Sequence, residues 1–198
     1  MTKFIAITGG IGSGKTTLSS YFKKKGFLVH ESDNVVSEIY KKPSKTFINF
    51  IKEKISKEAI KKNKINKKEI ANIVFNNKKI KAMLEQHIHK EVQKSRKVFF
   101  QKNQKNNNKM IFADIPLLFE KKLEKGFDLV ICVISSKKNR EKRVLKNKKF
   151  KKKILNKIFK YQTTDKERRK RSQIIINNNK SKKDFIFNSE KILLKLLS

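Results

Sequence analysis

Apolar residues in this chain fall into a few short runs separated by long, polar, helix-periodic stretches. Phe4–Thr8 (FIAIT), Met110–Asp114 (MIFAD) and Asp128–Ile134 (DLVICVI) are nearly unbroken apolar runs, the pattern of strands covered on both faces. Phe27–Val29 and Gln173–Asn177 (QIIIN) are shorter runs of the same kind. Between Lys15 and about Lys25 the period changes. Leu18, Tyr21 and Phe22 are spaced i, i+3, i+4, which predicts a helix with that face toward the sheet, and Gly26 stands where a helix-ending glycine belongs. Strand, turn, helix and strand in this order open a parallel α/β sheet. From Asn34 to about Asn108 the pattern is helical (VVSEIY, TFINFIKEKI, KKEIANIVFN, then a long helix from about Lys78 to Lys102) and predicts no strand. Asn103–Lys109 (NQKNNNK) reads as a low-complexity loop, Lys137–Arg171 as helical and very basic, and Ser189–Ser198 as a short amphipathic helix. The prediction is an α/β fold with a five-stranded parallel sheet flanked by helices. The core is 1–33, 109–136 and 172–198, interrupted by helical segments 34–108 and 137–171, with no internal repeat.

Composition narrows the class. A chain of 198 residues suits one domain, and 37% hydrophobic residues gathered in runs can build a core despite a net charge of +35. No apolar run reaches the roughly 18–20 residues of a membrane-spanning helix. MTKFIAITGGIGSGK runs straight into a glycine loop without the apolar core and cleavage site of a signal peptide. A single cysteine, Cys132, excludes an internal disulfide, and a structural zinc site would need several Cys or His ligands. The expectation is a soluble, reduced, cytoplasmic protein, with no membrane partner. The charge invites a nucleic-acid reading, but Lys supplies 46 of the 52 basic residues and Arg, the preferred bidentate phosphate and base ligand, only 6. Asn, Ile and Phe are abundant too, and with Lys they share A/T-rich codons. Lysines scattered from Lys3 to Lys195 read better as a solvated surface than as a dedicated nucleic-acid site. Either way the field draws anionic ligands.

The chemistry begins at Gly9-Gly10-Ile11-Gly12-Ser13-Gly14-Lys15-Thr16, a complete G-x-x-x-x-G-K-[ST] between a strand and a helix. Glycines let successive N–H groups turn toward phosphate oxygens, and the helix amino end adds its positive pole. Lys15 supplies a point charge for the β- and γ-phosphates, and Thr16 a hydroxyl for Mg²⁺. Ile11, Gly12, Ser13, Gly14, Lys15, Thr16 and Thr17 are therefore the expected nucleotide-binding residues. No N-K-x-D tetrapeptide occurs, which removes the guanine-reading GTPases. Asp33 stands just past the second predicted strand, where ligands of open parallel sheets bind. A carboxylate there can take the proton of an attacking hydroxyl; alternatively, Asp33 is simply a helix N-cap.

This arrangement resembles the dephospho-CoA kinase family over nearly the whole chain. The carrying residues are TGGIGSGKT, Glu31-Ser32-Asp33 for a D-A-D motif, Ile73-Val74-Phe75-Asn76 through Leu84-Glu85, and His89 for the His of H-P-x-[IV]. To these are added Asp114-Ile115-Pro116-Leu117-Leu118-Phe119-Glu120 for D-x-P-L-L-F-E, and Gln162, Arg168 and Ile175-Ile176-Asn177-Asn178 for Q…[KR]…V-I-x-N-N. Departures are Glu31 for the first Asp, Ser37 for a basic residue, Lys90 for Pro, Asn147 for a second lid arginine, and Ser172-Gln173 for A-D. The resemblance implies a P-loop kinase fold in which 34–108 is the acceptor-binding insertion and 137–171 a lid. It implies ATP and dephospho-CoA as partners, Mg²⁺ as cofactor, and transfer of phosphate to the ribose 3′-hydroxyl in the final step of coenzyme A synthesis. A monomer or weak homo-oligomer is expected. Asp33 and Lys15 are then the catalytic pair, Arg140 and Arg143 reach ATP from the lid, and Asp33, His89, Pro116 and Leu117 meet the acceptor. Each has a plainer alternative: Arg140 and Arg143 as solvated cations, His89 as a packing residue, Leu117, Leu118 and Phe119 as core. His87 and His89, two apart on a helix, do not share a face and make a poor metal pair. The rival functions are another small nucleotide or nucleoside kinase, a basic P-loop nucleic-acid-binding protein, and a decayed kinase.

Overall fold

The apolar runs become the strands of one parallel sheet in a computed structural model that describes residues 1–61, 64–106, 108–147 and 151–198. β1 (Lys3–Thr8), β2 (Leu28–Glu31), β5 (Met110–Asp114), β6 (Leu129–Ile134) and β7 (Ile174–Asn177) stand in the order β2-β5-β1-β6-β7. Every neighbouring pair is parallel, in registers such as Ile7↔Asp114 and Thr8↔Cys132. The helices are α1 (Lys15–Lys24), α2 (Ser32–Lys41), α3 (Lys45–Lys54), α4 (Lys67–Asn76), α5 (Lys78–Gln104), α6 (Lys137–Lys146), α7 (Lys152–Tyr161), α8 (Asp165–Lys170) and α9 (Lys182–Leu197). A 3₁₀ turn at Glu124–Gly126 precedes β6.

The chain divides into two units, Met1–Glu31 with Phe100–Ser198, and Ser32–Phe99. In the first, the period of two along the strands sorts side chains between the faces. Ile5, Ile7, Phe112, Ile131 and Val133 pack with Leu18 and Phe22 of α1 and with Phe185 and Leu193 of α9. Ala6, Ala113 and Val130 face the other way, toward Ile115, Leu118 and Phe119, with Phe100 and Phe127 against them. Tyr21, the third member of the expected α1 face, is only partly buried against the same core. Gly26 has φ +88, and α1 ends one residue before it at its C-cap, Lys25. Cys132 lies fully buried in β6, where loss of solvent pushes its thiol pKa up to about 11.

The second unit has its own small core of Phe47 and Ile51 from α3, Ile70 from α4, Leu84 from α5, and Ala59 from the turn before β3. It also holds what the pattern did not predict: an antiparallel pair, β3 (Ile60–Lys61) with β4 (Lys64–Ile65). Two residues per strand are too few for alternation to register in the sequence. The basic stretch 137–171 resolves into α6, α7 and α8, with residues 148–150 outside the described residues. Residue 107 of the predicted low-complexity loop is also outside them, while α5 runs on to Gln104.

Candidate active site

Because all five strands are parallel, the turns leaving their carboxyl ends gather on one edge of the sheet. Gly9 follows β1 there, Ile115 follows β5, Ser135 follows β6 and Asn178 follows β7. The phosphate loop needs glycine in its second half. Gly12 (φ +74) and Gly14 (φ +110) are left-handed, and a Cβ on Gly14 would fall on the amide nitrogen of Asn178. Gly14 is the N-cap of α1 and provides no side-chain bond, and α1 has no acidic residue in its first turn. The helix therefore presents its positive end and its first N–H groups without a capping side chain. Lys15 begins the helix half-buried, Thr16 is exposed beside it, and Ser13 is buried. Ile11 and Thr17 are partly buried, and the Ile11 N–H is donated to Gln162 Oε1 at 2.9 Å.

Arg140 and Arg143 both point at this loop from α6 and are not solvated surface cations. Arg140 is 9% exposed, lies against Gly10, stacks over Phe159 at 5.2 Å and pairs with Asp165 at 3.3 Å. Its Nε is buried with no hydrogen-bond partner. Burial pulls its pKa below the ordinary arginine value, with Asp165 opposing. Arg143 lies against the loop's backbone, with Nη1 3.4 Å from the Gly12 carbonyl oxygen and Nη2 2.8 Å from that of Asn178. Asn147 is the C-cap of α6.

A buried ionic network completes this side. Arg168, 2% exposed, pairs with Asp165 at 2.9 Å and with Glu120 at 3.5 Å, and Glu120 also accepts the Thr163 N–H at 2.7 Å. Asp165 thus bridges two guanidinium groups. Lys137, Arg140, Phe159, Gln162, Asp165 and Arg168 are among the residues around a cleft of about 530 Å³ in this segment. Glu120, Gln162, Arg168 and Asn178 stood in the family resemblance, but nothing in the sequence said what they touch. Asp114, at the end of β5, accepts a buried hydrogen bond from Ser19 of α1 at 2.9 Å. Its place at the end of a buried strand was legible in the apolar run; the pairing of that strand with β1 and the tie to α1 were not.

The expected acceptor residues are placed as follows. Asp33 is exposed in the first turn of α2, which starts at Ser32 directly where β2 ends, so Asp33 lies inside the helix and is not its N-cap. A carboxylate there is favoured by the helix dipole. Glu31, the last residue of β2, pairs with Lys23. His89 is half-buried on α5, while His87 stacks on Phe50 with ring centroids 4.2 Å apart. Pro116 and Leu117 are partly buried in the turn after β5, whereas Leu118 and Phe119 are core. That turn, more than its motif, decides which of the apolar side chains face outward.

Comparison with known proteins agrees with this geometry. A model of the dephospho-CoA kinase family matches residues 3–184. A dephospho-CoA kinase of Fusobacterium nucleatum is 34% identical over 188 residues, covering 91% of this chain and 91% of the relative. One from Buchnera aphidicola (subsp. Schizaphis graminum) is 35% identical over 183 residues, covering 91% and 85%. Among solved structures, a dephospho-CoA kinase from Campylobacter jejuni superposes with a TM-score of 0.76 at 26% identity, over 99% of this chain and 98% of that one. With the family match running through the phosphate loop, the turn after β5 and the network below it, this chain belongs to the dephospho-CoA kinase family.

Proposed function

We propose that the chain transfers the γ-phosphoryl group of ATP to the ribose 3′-hydroxyl of dephospho-CoA, giving CoA and ADP. Phosphorylation of dephospho-CoA is the reaction of its family. The observation that carries the donor side is the uncapped amino end of α1, with Lys15 and Thr16 at the mouth of a left-handed glycine turn. Phosphoryl transfer depends on positioning and charge neutralisation, and these groups supply both. The N–H groups of Gly12, Gly14, Lys15 and Thr16 bind the donor phosphates, those of Ser13 and Thr17 being spent on the Gly10 and Gly14 carbonyls. Lys15 neutralises the charge that builds on the transferring group, and Arg140 closes over it from α6.

The residues fit a hard cation that arrives with phosphates. Among the described residues no cluster of three His, Cys, Asp or Glu side chains could hold a metal alone, whereas Thr16 offers an exposed oxygen donor and Asp114 a carboxylate on the same sheet edge. Mg²⁺ bound there would neutralise phosphate charge.

Asp33 takes the proton of the attacking hydroxyl. Its support is its place in the chain, one residue into the helix that begins at the carboxyl end of β2. His89, Pro116 and Leu117 contribute to the acceptor side. The reaction runs in the cytoplasm. No helix among the described residues is long and apolar enough to cross a membrane.

Nucleic acid is not the specific ligand. Arg140, Arg143, Arg168 and Arg171 all bond to protein groups, so most of the scarce arginines point inward. That leaves the charge to dispersed lysines, which act as a field on anionic substrates, not as a reader of sequence.

One assay tests the reading: ATP and Mg²⁺ with a panel of acceptors comprising dephospho-CoA, nucleosides, nucleoside monophosphates and shikimate. Dephospho-CoA should be the preferred acceptor. Asp33→Asn should lower kcat by about 10² or more while leaving the KM for ATP in place. Near-normal turnover in that variant removes Asp33 as the base.

A further inference from the structure

A phosphate loop works only if its peptide units are turned the right way. In a trans peptide the C=O and the following N–H point in opposite directions, so whatever holds the carbonyl behind the loop aims the N–H in front of it. The Ser13 carbonyl belongs to the same peptide as the Gly14 N–H, and it accepts from Asn178 Nδ2 at 2.7 Å in a buried contact. Arg143 Nη1 reaches the same carbonyl at 3.5 Å, the Gly12 carbonyl at 3.4 Å and Ser135 Oγ at 3.2 Å. Its Nη2 bonds the Asn178 carbonyl at 2.8 Å and lies 3.4 Å from the side-chain oxygen of Asn178. Ser135 Oγ in turn donates to the Asn178 carbonyl at 2.9 Å. The carboxyl ends of β6 and β7 and the second turn of α6 thus meet on the back of the loop. One guanidinium spans three backbone carbonyls, a use of its planar fork that an ammonium cannot repeat. Gly14 rests directly on the Asn178 amide, so the loop has no room to rotate backward.

We propose that Arg143 and Asn178 are positioning residues for the donor phosphates: they hold the Ser13 carbonyl from behind and so aim the Gly14 N–H, while Arg143 also fixes the Gly12 carbonyl, whose peptide N–H closes the turn onto Gly10, and neither side chain touches the nucleotide. This replaces a direct role for Arg143 on ATP. Arg140, one turn earlier on the same helix, is the α6 arginine that lines the cleft.

The inference rests on the ATP reading, and the experiment separates the two. ADP and ATP affinities of the full chain are measured by titration calorimetry for wild type, Arg143→Met, Arg143→Lys, Asn178→Ala and the Arg143→Met/Asn178→Ala double variant. KM for dephospho-CoA and thermal unfolding are measured alongside. ADP and ATP should weaken by the same factor, about tenfold or more for Arg143→Met, because the loop holds phosphates both nucleotides share. Arg143→Lys should recover part of the loss, the double variant should lose less than the product of the singles, and KM for dephospho-CoA should not move. Should Arg143→Met fail to fold, Asn178→Ala and Arg143→Lys carry the same comparison. Loss of ATP affinity with ADP spared would mean direct contact with the γ-phosphate and overturns the proposal. A fall in the fraction of active sites with unchanged affinity would mean a merely structural role and overturns it too. A wild-type chain that binds neither nucleotide removes the ATP reading itself, whereas a wild type that binds and variants that bind equally well remove only this inference.

Discussion

Two strand-to-helix turns in the sheet unit meet the same problem with opposite solutions. After β7, the turn into α9 caps its helix with a reciprocal pair: Ser181 accepts the Asp184 N–H, and the Asp184 carboxylate accepts the Ser181 N–H and hydroxyl. After β1, the turn into α1 has Gly14 at the N-cap and no capping side chain. Helices α3, α4, α6 and α8 follow the first style, with Ser44, Asn66, Ser136 and Thr164 as caps. A capped end contributes stability and spends one of its first-turn donors on its own side chain; an open end forgoes that stability and keeps that donor for an anion. The fold invests the difference behind the open end, where Arg143 and Asn178 hold the loop from the protein side, with the buried Arg168 close to Gly10.

This contrast can be broken at graded cost. The largest effect falls on the open end. Lys15→Ala should reduce kcat/KM by at least about 10² with little change in melting temperature, since a half-exposed cation is removed from a site built for charge stabilisation. Next comes the support behind it. Arg168→Met leaves Glu120 buried without its cation, and chemical denaturation should show a loss of about 3–5 kcal/mol together with weaker ATP binding. The closed end behaves in the reverse way: Ser181→Ala should cost about 1 kcal/mol of stability and leave both KM values alone. The smallest effect is pH-dependent. Ser181 holds the Asp184 carboxyl below its ordinary pKa, so its contribution is complete above the unfolded value near about 4 and fades as the pH falls through the lowered folded value. The difference between wild type and Ser181→Ala in acid melts should therefore narrow below about pH 4. A Ser181→Ala variant with impaired nucleotide binding would mean that the two turns are not independent.

How much of this was visible in advance depended on the range of the interactions. Buried parallel strands show as apolar runs, so Met110–Asp114 was located to the residue and β6 to within one. The phosphate loop was legible because its glycines, Lys15 and Thr16 are consecutive. The β3–β4 pair was not, since four residues cannot display a period. The roles of Arg140 and Arg143 were harder still. Both are cations three apart on one basic helix, and nothing local distinguishes the one stacked on Phe159 from the one wedged behind Gly12. That difference is made by Asn178, 35 residues later in the chain. The same holds for Arg168, whose partner Glu120 lies 48 residues away.

Cys132 offers a practical handle. As the sole sulfhydryl, sealed inside the central sheet and with ionisation suppressed to about 11, it should ignore alkylating reagents as long as the sheet stays shut. Modification at that sulfur would then time the rare openings of the innermost strands, and added nucleotide should slow it in proportion to how firmly the ligand locks the protein closed.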